Sequence, residues 1–205
     1  MRLRMGMIGG GPGAFIGPIH RIAAELDREI ELVAGVFSSD PDRSRAALAA
    51  GVAVMSDKPM TASLAQAREL ADLVAQAGRP YALTYTYSGY PLVREARARV
   101  AAGAIGTVRK VVVEYPQGWL AGPAEGKQAE WRVDPARSGA GGCIGDIGVH
   151  AFQLAEFVTG LRVTRLLADL AAVVPGRALD DDCTILLRFD NGARGALLAS
   201  QIEVG

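Results

Sequence analysis

Short apolar runs alternate with longer amphipathic segments over the first 87 residues. The runs LRMGMIGG, IELVAGVF, VAVMSDKP and YALTYTY have the length and composition of strands buried in a parallel sheet. Between them, PIHRIAAELDRE, DPDRSRAALAAG and SLAQARELADLVAQAG carry apolar residues at helical spacing. Alternating strands and helices predict right-handed crossovers, and therefore an α/β doubly wound parallel sheet.

The pattern changes near residue 88. One more helix is predicted over PLVREARARVAAGAIG, and the later runs VRKVVVEYP, LRVTRLLADLAAVV and TILLRFDNGARGALLASQI have the pattern of longer strands. The Asn-Gly dipeptide inside the last run is typical of a hairpin turn, which favours antiparallel pairing. We therefore predict two domains, residues 1–87 with the parallel sheet and residues 88–205 with an α+β fold dominated by antiparallel sheet.

The segment GGGPGAFIG, residues 9–17, joins the first predicted strand to the first predicted helix. Glycine has no Cβ, so phosphate groups approach such a turn closely and meet the free N–H groups of a helix N-terminus. Gly9, Gly11 and Gly17 match the G-x-G-x-x-G fingerprint only with three extra residues in the loop, whereas Gly11 and Gly13 give a shorter spacing. We favour a dinucleotide-binding turn; the alternative is a strand-to-helix turn without a ligand.

The end of the second predicted strand is where a dinucleotide-binding domain contacts the ribose. An acidic residue there accepts a hydrogen bond from the ribose 2′-hydroxyl of NAD, but this chain has Ser38 and Ser39 with Arg43 nearby. Hydroxyl groups and a guanidinium tolerate a 2′-phosphate, which favours NADP. Asp40 is close enough along the chain to keep NAD as the alternative.

The tripeptide DKP follows the third predicted strand, at the end where doubly wound sheets bind ligands. Pro59 fixes its own φ and disfavours helix at Lys58, so the pair predicts a rigid corner. A lysine there is placed to bind a substrate hydroxyl and to favour the alkoxide that precedes hydride loss. The alternative is a solvated lysine that pairs with Asp57.

An aspartate and a histidine stand four residues apart in GGCIGDIGVH, in a chain with two histidines. If residues 144–158 form a helix, Asp146 and His150 share a face. The carboxylate then favours the protonated imidazole and orients it, as a base that takes a proton from an alcohol requires. The alternative is a helix-capping Asp146 and a His150 that packs against the sheet.

Composition excludes several other classes of function. Lysine plus arginine equals aspartate plus glutamate at 22 each, which removes a charge argument for nucleic acid or a membrane surface. Cys143 and Cys183 form neither a CxxC pair nor a disulfide framework, which predicts reduced thiols in the cytoplasm. No apolar run is long enough to span a bilayer, and no spacing of ligands predicts a metal site.

Taken in order, the glycine turn, DKP, WRVDPARSGAGG and DIGVH resemble the glucose–fructose oxidoreductase, inositol dehydrogenase and MocA family. The resemblance implies an N-terminal Rossmann domain and a C-terminal domain with an open sheet. It implies an enzyme that uses NAD or NADP to oxidise or reduce sugars, polyols and related carbonyl compounds. It also implies that Lys58 holds nicotinamide and substrate, that His150 is the acid/base beside Asp146, and that homo-oligomers form through the C-terminal sheet.

The chain departs from the family pattern in three places. Gln153 stands where the family usually has an aspartate that contacts sugar hydroxyls. The run SRAALAAGVAVMSDKP goes straight into the DKP strand, without two strands and a cofactor loop that the family has there. The C-terminal sheet stops early, at QIEVG. These departures favour a shortened chain, and two alternatives to the enzyme are a non-catalytic dinucleotide-binding or assembly module and an inactive fragment.

The substrate itself is not predicted. Its contacts are expected from loops such as residues 116–135, and the aromatic or basic side chains near them are candidates to line the pocket or to be scaffold. They are Tyr85, Tyr87, Trp119 and Arg132.

Overall fold

The computed structural model describes residues 2–8, 17–36, 53–61 and 63–204. Backbone proximity divides the chain into two compact units, Met1–Met55 with Glu69–Ala82, and Ser56–Arg68 with Leu83–Gly205. The second unit therefore includes the DKP corner and residues 83–87, which the sequence-based division assigned to the first domain. The domain boundary at residue 87 stays a prediction.

The first unit contains a parallel strand pair with a helical crossover. Strand β1 (Leu3–Ile8) and strand β2 (Ile30–Val36) pair in parallel, with Leu3 opposite Ile30. Helix α1 (Gly17–Glu25) lies between them in the chain, as a parallel pair requires. The predicted order of strand, helix and parallel strand is confirmed for this part of the chain.

A second helical connection joins strand β3 (Val54–Asp57) to strand β4 (Tyr81–Thr84), and these two strands form a sheet. Helix α2 (Leu64–Ala77) begins after Ser63, whose hydroxyl accepts the N–H of Gln66 at 3.3 Å. It ends at Gly78, whose φ of +58° is a conformation that glycine adopts without a Cβ penalty.

The second unit contains short helices and one long strand system. After a 3-10 turn at Thr86–Gly89 comes helix α3 (Pro91–Ala101), which begins with proline in its first turn. Two single-turn helices follow, α4 (Lys127–Glu130) and α5 (Pro135–Ser138). A π-helical turn at Ile144–Gly148 then leads directly into helix α6 (Val149–Thr159).

The sheet of the second unit is mixed but mostly antiparallel, as predicted. Its strands are β5 (Lys110–Pro116), β6 (Val163–Ala171), β7 (Asp182–Phe189) and β8 (Arg194–Ser200). They lie in the order β5-β8-β7-β6, with β5 parallel to β8 and the other pairs antiparallel. The predicted Asn-Gly turn joins β7 to β8, and the Ala193 N–H donates to the Asn191 side chain at 2.9 Å.

One face of this sheet carries the core. Side chains alternate along β7 between buried and exposed, so its inward positions meet the π-helical turn and the start of α6. The buried cluster consists of Cys143, Ile147, Ala151, Cys183, Ile185, Leu187, Phe189, Ala193, Leu197 and Ala199. This packing holds the segment that carries Asp146 and His150 against the strands.

Two predicted elements differ from the structure, and one lies outside it. The run YALTYTY was predicted as a strand to residue 87, but β4 ends at Thr84 and a 3-10 turn follows, in which the Ser88 hydroxyl donates to the Tyr85 carbonyl at 2.7 Å. The helix predicted from residue 144 begins as a π-helical turn instead. The helix predicted over DPDRSRAALAAG lies outside the described residues.

Candidate active site

The DKP corner places Lys58 by hydrogen bonds on both sides of the β3 terminus. The carboxylate of Asp57 accepts the backbone N–H of Lys58 at 2.8 Å and the Thr84 hydroxyl at 2.9 Å. These bonds join the ends of β3 and β4 and leave the lysine side chain to extend away. The Lys58–Pro59 peptide bond is cis. The ammonium does not pair with Asp57, which was the structural alternative for this lysine.

The Lys58 ammonium instead contacts Asp146. Its Nζ lies 2.5 Å from the Asp146 carbonyl oxygen and 3.3 Å from Oδ1 of the same residue. Both side chains are largely buried, with 17% of Lys58 and 13% of Asp146 exposed. The attraction between charges so shielded from water is screened less than that of a surface pair. Sequence positions 88 residues apart therefore converge on one charged site.

The second carboxylate oxygen of Asp146 accepts two further donors. Nε of Arg132 lies 2.8 Å from Oδ2, and the side-chain amide of Gln201 lies 3.0 Å from the same atom. Asp146 thus has one ammonium on Oδ1 and one guanidinium with one amide on Oδ2. A helix-capping role for Asp146 does not fit, because its hydrogen bonds go to side chains of other elements.

The segment that carries Asp146 is anchored from the loop before β7. The Asp180 carboxylate accepts the N–H groups of Gly142 and Ile144, both at 2.7 Å, and its carbonyl oxygen accepts that of Cys143, also at 2.7 Å. These N–H groups lead into the helical segment and have no partner within a helix. Asp180 supplies the missing acceptors and places the turn.

His150 lies on the first turn of α6, buried to 8% exposure. Its Nδ1 is buried and has no hydrogen-bond partner among the described residues. The ring makes edge contacts with Tyr87, at 4.8 Å between centroids, and with Tyr85, at 5.9 Å. The Asp146 carboxylate makes no hydrogen bond to this imidazole, so the expected orienting bond is absent from the site.

The charge state of His150 in the structure also differs from the one expected from the sequence. Burial, and then the positive charge of Lys58, lower the pKa of His150, and the carboxylates of Asp146 and Asp57 raise it less. The imidazole therefore stays neutral to lower pH than an ordinary histidine. From the sequence, Asp146 was expected to favour the protonated form, but desolvation outweighs that effect.

An aromatic layer covers the same imidazole. The hydroxyl groups of Tyr87 and Tyr115 share a short hydrogen bond, which connects the 3-10 turn to β5. Burial, helped by that bond, raises the pKa of Tyr87 to about 12, so the phenol stays protonated near neutral pH. Tyr85 and Tyr87, named from sequence as pocket candidates, thus lie against the histidine rather than apart from it.

The predicted cofactor residues fall mostly outside the described part of the chain. Gly9, Gly11, Gly13, Ser38, Ser39 and Arg43 lie there. Gly17 is described: it is the first residue of α1 and is buried. Its position at a helix start after the first strand is the one that the dinucleotide-binding prediction requires.

Two residues of the site were missed by sequence reasoning. Gln201 follows β8 in an ordinary polar context, and Asp180 is one of three consecutive aspartates in LDDDC. Neither spacing nor periodicity distinguishes them, because their partners lie 55 and 36–38 residues away. Arg132, a pocket candidate, instead binds Asp146.

Two absences hold for the part of the chain that the structure describes. No cluster of three or more His, Cys, Asp or Glu side chains there is arranged to hold a metal ion. No helix within the same residues has both the length and the apolar character that crossing a membrane demands.

The parallel strands of the first unit, joined by a helical crossover, define a Rossmann-type class of α/β protein, and comparison with protein families is more specific. Residues 18–85 match the oxidoreductase family with an NAD-binding Rossmann fold, and residues 93–205 match the GFO/IDH/MocA C-terminal domain. The chain belongs to the GFO/IDH/MocA family of oxidoreductases.

Individual relatives are longer than this chain. The uncharacterized oxidoreductase YfiI of Bacillus subtilis is 28% identical, and its alignment covers 99% of this chain but 65% of YfiI. That alignment runs over 257 positions, more than the 205 residues here, so YfiI has internal positions without a counterpart. This agrees with the shortened family pattern expected from the sequence.

Solved structures show the same fold. An inositol dehydrogenase homolog from Azotobacter vinelandii, complexed with NAD+, superposes with a TM-score of 0.91 at 29% identity, covering 100% of this chain and 66% of that one. Its complex with NADH and myo-inositol gives a TM-score of 0.88 at 29% identity, with coverage of 100% and 65%. This chain therefore spans just under two thirds of the length of these relatives.

Proposed function

We propose that this chain is an NAD(P)-dependent oxidoreductase that transfers hydride between nicotinamide and a CH–OH group of a sugar or polyol. The observation that carries the proposal is His150: a buried imidazole whose pKa is lowered by burial and by the Lys58 charge, and which makes no hydrogen bond through its buried Nδ1 to another described residue. A neutral imidazole accepts a proton from an alcohol, and a fixed ammonium stabilises the oxygen as negative charge develops.

The residues divide the reaction between them. A bound nicotinamide would supply the hydride acceptor. His150 takes the hydroxyl proton, so that one proton and one hydride leave the alcohol and a carbonyl remains. Lys58 Nζ donates to two acceptors on Asp146, and an ammonium has three N–H donors, which leaves one for the substrate oxygen. Asp146 holds Lys58 in place.

The start of α1 fits a dinucleotide. This helix has nine residues, follows β1 and begins at Gly17, which is buried and has no side chain. No side chain of this first residue therefore separates a phosphate group from the backbone N–H groups at the start of the helix. We propose Gly9, Gly11, Gly13 and Gly17 as the phosphate-binding turn. Between the cofactors, Ser38, Ser39 and Arg43 support NADP, whereas the solved relatives named with NAD+ and NADH support NAD.

Titration with NADH and NADPH, followed by nicotinamide fluorescence, tests cofactor binding directly. We expect saturable binding of one or both, and then turnover with myo-inositol or a related polyol, since a relative was solved with NADH and myo-inositol. Binding without turnover on a panel of polyols and sugars would favour the non-catalytic module. No binding of either cofactor would favour an inactive fragment.

We also propose that the chain forms a homodimer through the outer face of the C-terminal sheet. Strand register places side chains of this face in three rows across all four strands. The first row is basic: Lys110, Arg194, Arg188 and Arg165. The middle row is apolar: Val112, Ala196, Leu186 and Leu167. The third row has an acidic residue at each end, Glu114 and Asp169, with Leu198 and Thr184 between them.

The exposure of these rows supports a partner. Leu167 is 69% exposed, Val112 56% and Leu186 50%, which makes a contiguous apolar stripe across the sheet. None of the four basic side chains forms an ion pair with another described residue. Like charges opposite one another in a sheet are destabilising unless an anion is nearby.

A second copy supplies that anion in one arrangement. A two-fold axis along the apolar row reverses strand direction and sets each strand over its own counterpart. The apolar row then meets itself, Arg165 faces Asp169 of the other copy, and Lys110 faces Glu114. A two-fold axis along the strands would set the basic rows against each other, so charge selects the first arrangement.

Two free thiols, Cys143 and Cys183, support the cytoplasmic location that we propose.

A charge swap tests this dimer. Arg165→Asp should weaken self-association at least roughly tenfold, because it sets two carboxylates opposite each other across the two-fold axis. Combining it with Asp169→Arg should restore association, since the pair is re-formed with its signs exchanged. The measurement is sedimentation equilibrium at low salt, and Arg137→Asp, the same change off the sheet, is the control. A monomeric wild type, or a double variant no better than Arg165→Asp, would contradict the arrangement.

A further inference from the structure

This inference rests on the proposed function. In that function, the Asp146 carboxylate has two effects that conflict. It must hold the Lys58 ammonium, yet its negative charge also attracts a proton to His150. We propose that Arg132 is a positioning residue that resolves the conflict: its guanidinium fixes the second carboxylate oxygen and offsets the charge, so that Asp146 orients Lys58 while His150 remains free to act as a base.

Arg132 is itself held rigidly. Its Nη1 donates to the Gln128 carbonyl at 2.8 Å and to the Gln128 side-chain oxygen at 3.0 Å. The guanidinium lies over the Trp131 ring at 4.3 Å and is 5.5 Å from the Trp119 ring centre. One edge is therefore used for anchoring, and Nε remains to bind Asp146 at 2.8 Å. The guanidinium is therefore held on two sides, which fixes the position of its charge and of the Asp146 oxygen that it binds.

The two oxygens of Asp146 are divided between cations. Oδ1 receives Lys58, whereas Oδ2 receives Arg132 and the neutral amide of Gln201. Gln201 is almost fully buried, at 3% exposure, and its backbone N–H donates to the Asp181 carbonyl at 2.8 Å. Arg132 and Gln201 thus bind the same atom from fixed positions, but only Arg132 brings charge. This pair separates a geometric effect from an electrostatic one.

The charged and titratable groups near His150 come from four elements. The DKP corner contributes Lys58 and Asp57, and the π-helical turn contributes Asp146. The 3-10 turn and the residue before it contribute Tyr87 and Tyr85, and β5 contributes Tyr115 through its bond to Tyr87. Among these, the carboxylates favour the imidazolium and Lys58 opposes it. Without Arg132, the Asp146 charge is less compensated, and the balance moves toward the imidazolium.

The test is a proton NMR titration of the histidine Cε1–H signals in the full chain. The sequence has two histidines, so His150→Asn assigns both signals at once. Arg132→Gln should move the His150 midpoint upward by about half a pH unit, the size expected for one partly screened charge. Arg132→Lys, which keeps the cation, should return it close to wild type. Gln201→Met, which removes a neutral donor from the same oxygen, should leave it nearly unchanged.

Two results would overturn the proposal: a midpoint in Arg132→Gln equal to that of wild type, or equal shifts in Arg132→Gln and Gln201→Met. If Arg132→Gln does not fold, Arg132→Lys is compared with Gln201→Met instead. A His150 midpoint that is shifted in Arg132→Lys but equal to wild type in Gln201→Met would contradict charge compensation, because the lysine retains the cation. The titration requires no turnover, so its outcome is independent of whether the chain is an active dehydrogenase. In an active enzyme, the acidic limb of kcat/KM should move upward with the midpoint, whereas a merely structural role would lower kcat without moving it.

Discussion

Replacing His150 with asparagine is expected to lower kcat by roughly 10²- to 10⁴-fold, the range that a positioned general base contributes. Asparagine has a similar size and can occupy the space between Tyr85 and Tyr87, but it cannot accept a proton near neutral pH. The dissociation constant of the nicotinamide cofactor should stay nearly unchanged, because the proposed phosphate-binding turn at residues 9–17 is a separate part of the chain.

The pH dependence of the wild type follows from the same residue. Burial and the Lys58 charge lower the pKa of His150 below its ordinary value near 6.5. The basic form is therefore present above that lowered pKa, and kcat/KM should fall only as the pH drops through it. An acidic limb well above pH 6.5 would contradict His150 as the base.

Steady-state kinetics and cofactor titration measure these two effects side by side. Glu156→Gln is the matched control, since Glu156 lies on the same helix α6 and its carboxylate accepts the Val163 N–H at 2.8 Å, away from the candidate site. It should retain turnover. An active His150→Asn variant at neutral pH would remove the imidazole from the mechanism.

Replacing Gly142 with alanine is expected to lower the free energy of unfolding by about 2–4 kcal/mol. A Cβ at this position would lie 2.1 Å from the Asp180 carbonyl oxygen and 2.9 Å from the Leu179 Cβ. The backbone oxygen cannot rotate away, because it accepts the Cys143 N–H at 2.7 Å. The clash must therefore separate the π-helical turn from its Asp180 anchor, which also displaces Asp146.

Gly145→Ala in the same turn is the matched control. A Cβ there meets nothing within 4 Å, so this variant should unfold within about 1 kcal/mol of wild type. Chemical denaturation followed by circular dichroism measures both. Equal stabilities for the two alanine variants would show that Asp180 does not hold the turn tightly.

Much of the second unit was predictable because local patterns specify it. Alternating burial along β7, the Asn-Gly turn after it and the proline at the start of α3 are all properties of neighbouring residues. The parallel pairing of β1 with β2 was also predictable, because strands separated by a helix are joined by a crossover. Each of these features depends on periodicity or on a residue's own backbone preference.

The errors have a common physical cause. The run YALTYTY has strand composition, but the aromatic side chains after Thr84 pack around His150 and turn the chain. The π-helical turn forms where Asp180 takes the N–H groups of the segment, and its carboxylate comes from a loop 36–38 residues away. Long-range partners therefore overrode the local preference in both places.

By itself, the sequence determined the order of strands and helices, the family, and the presence of Lys58, Asp146 and His150, because these depend on composition and spacing along the chain. Only the tertiary structure decided which groups Asp146 binds and which charge His150 carries. Its carboxylate meets Lys58, Arg132 and Gln201, drawn from three separate parts of the chain, and the imidazole is desolvated by tyrosines from a fourth. A pKa and a hydrogen-bond partner depend on distances in space, and the folding of the chain sets those distances.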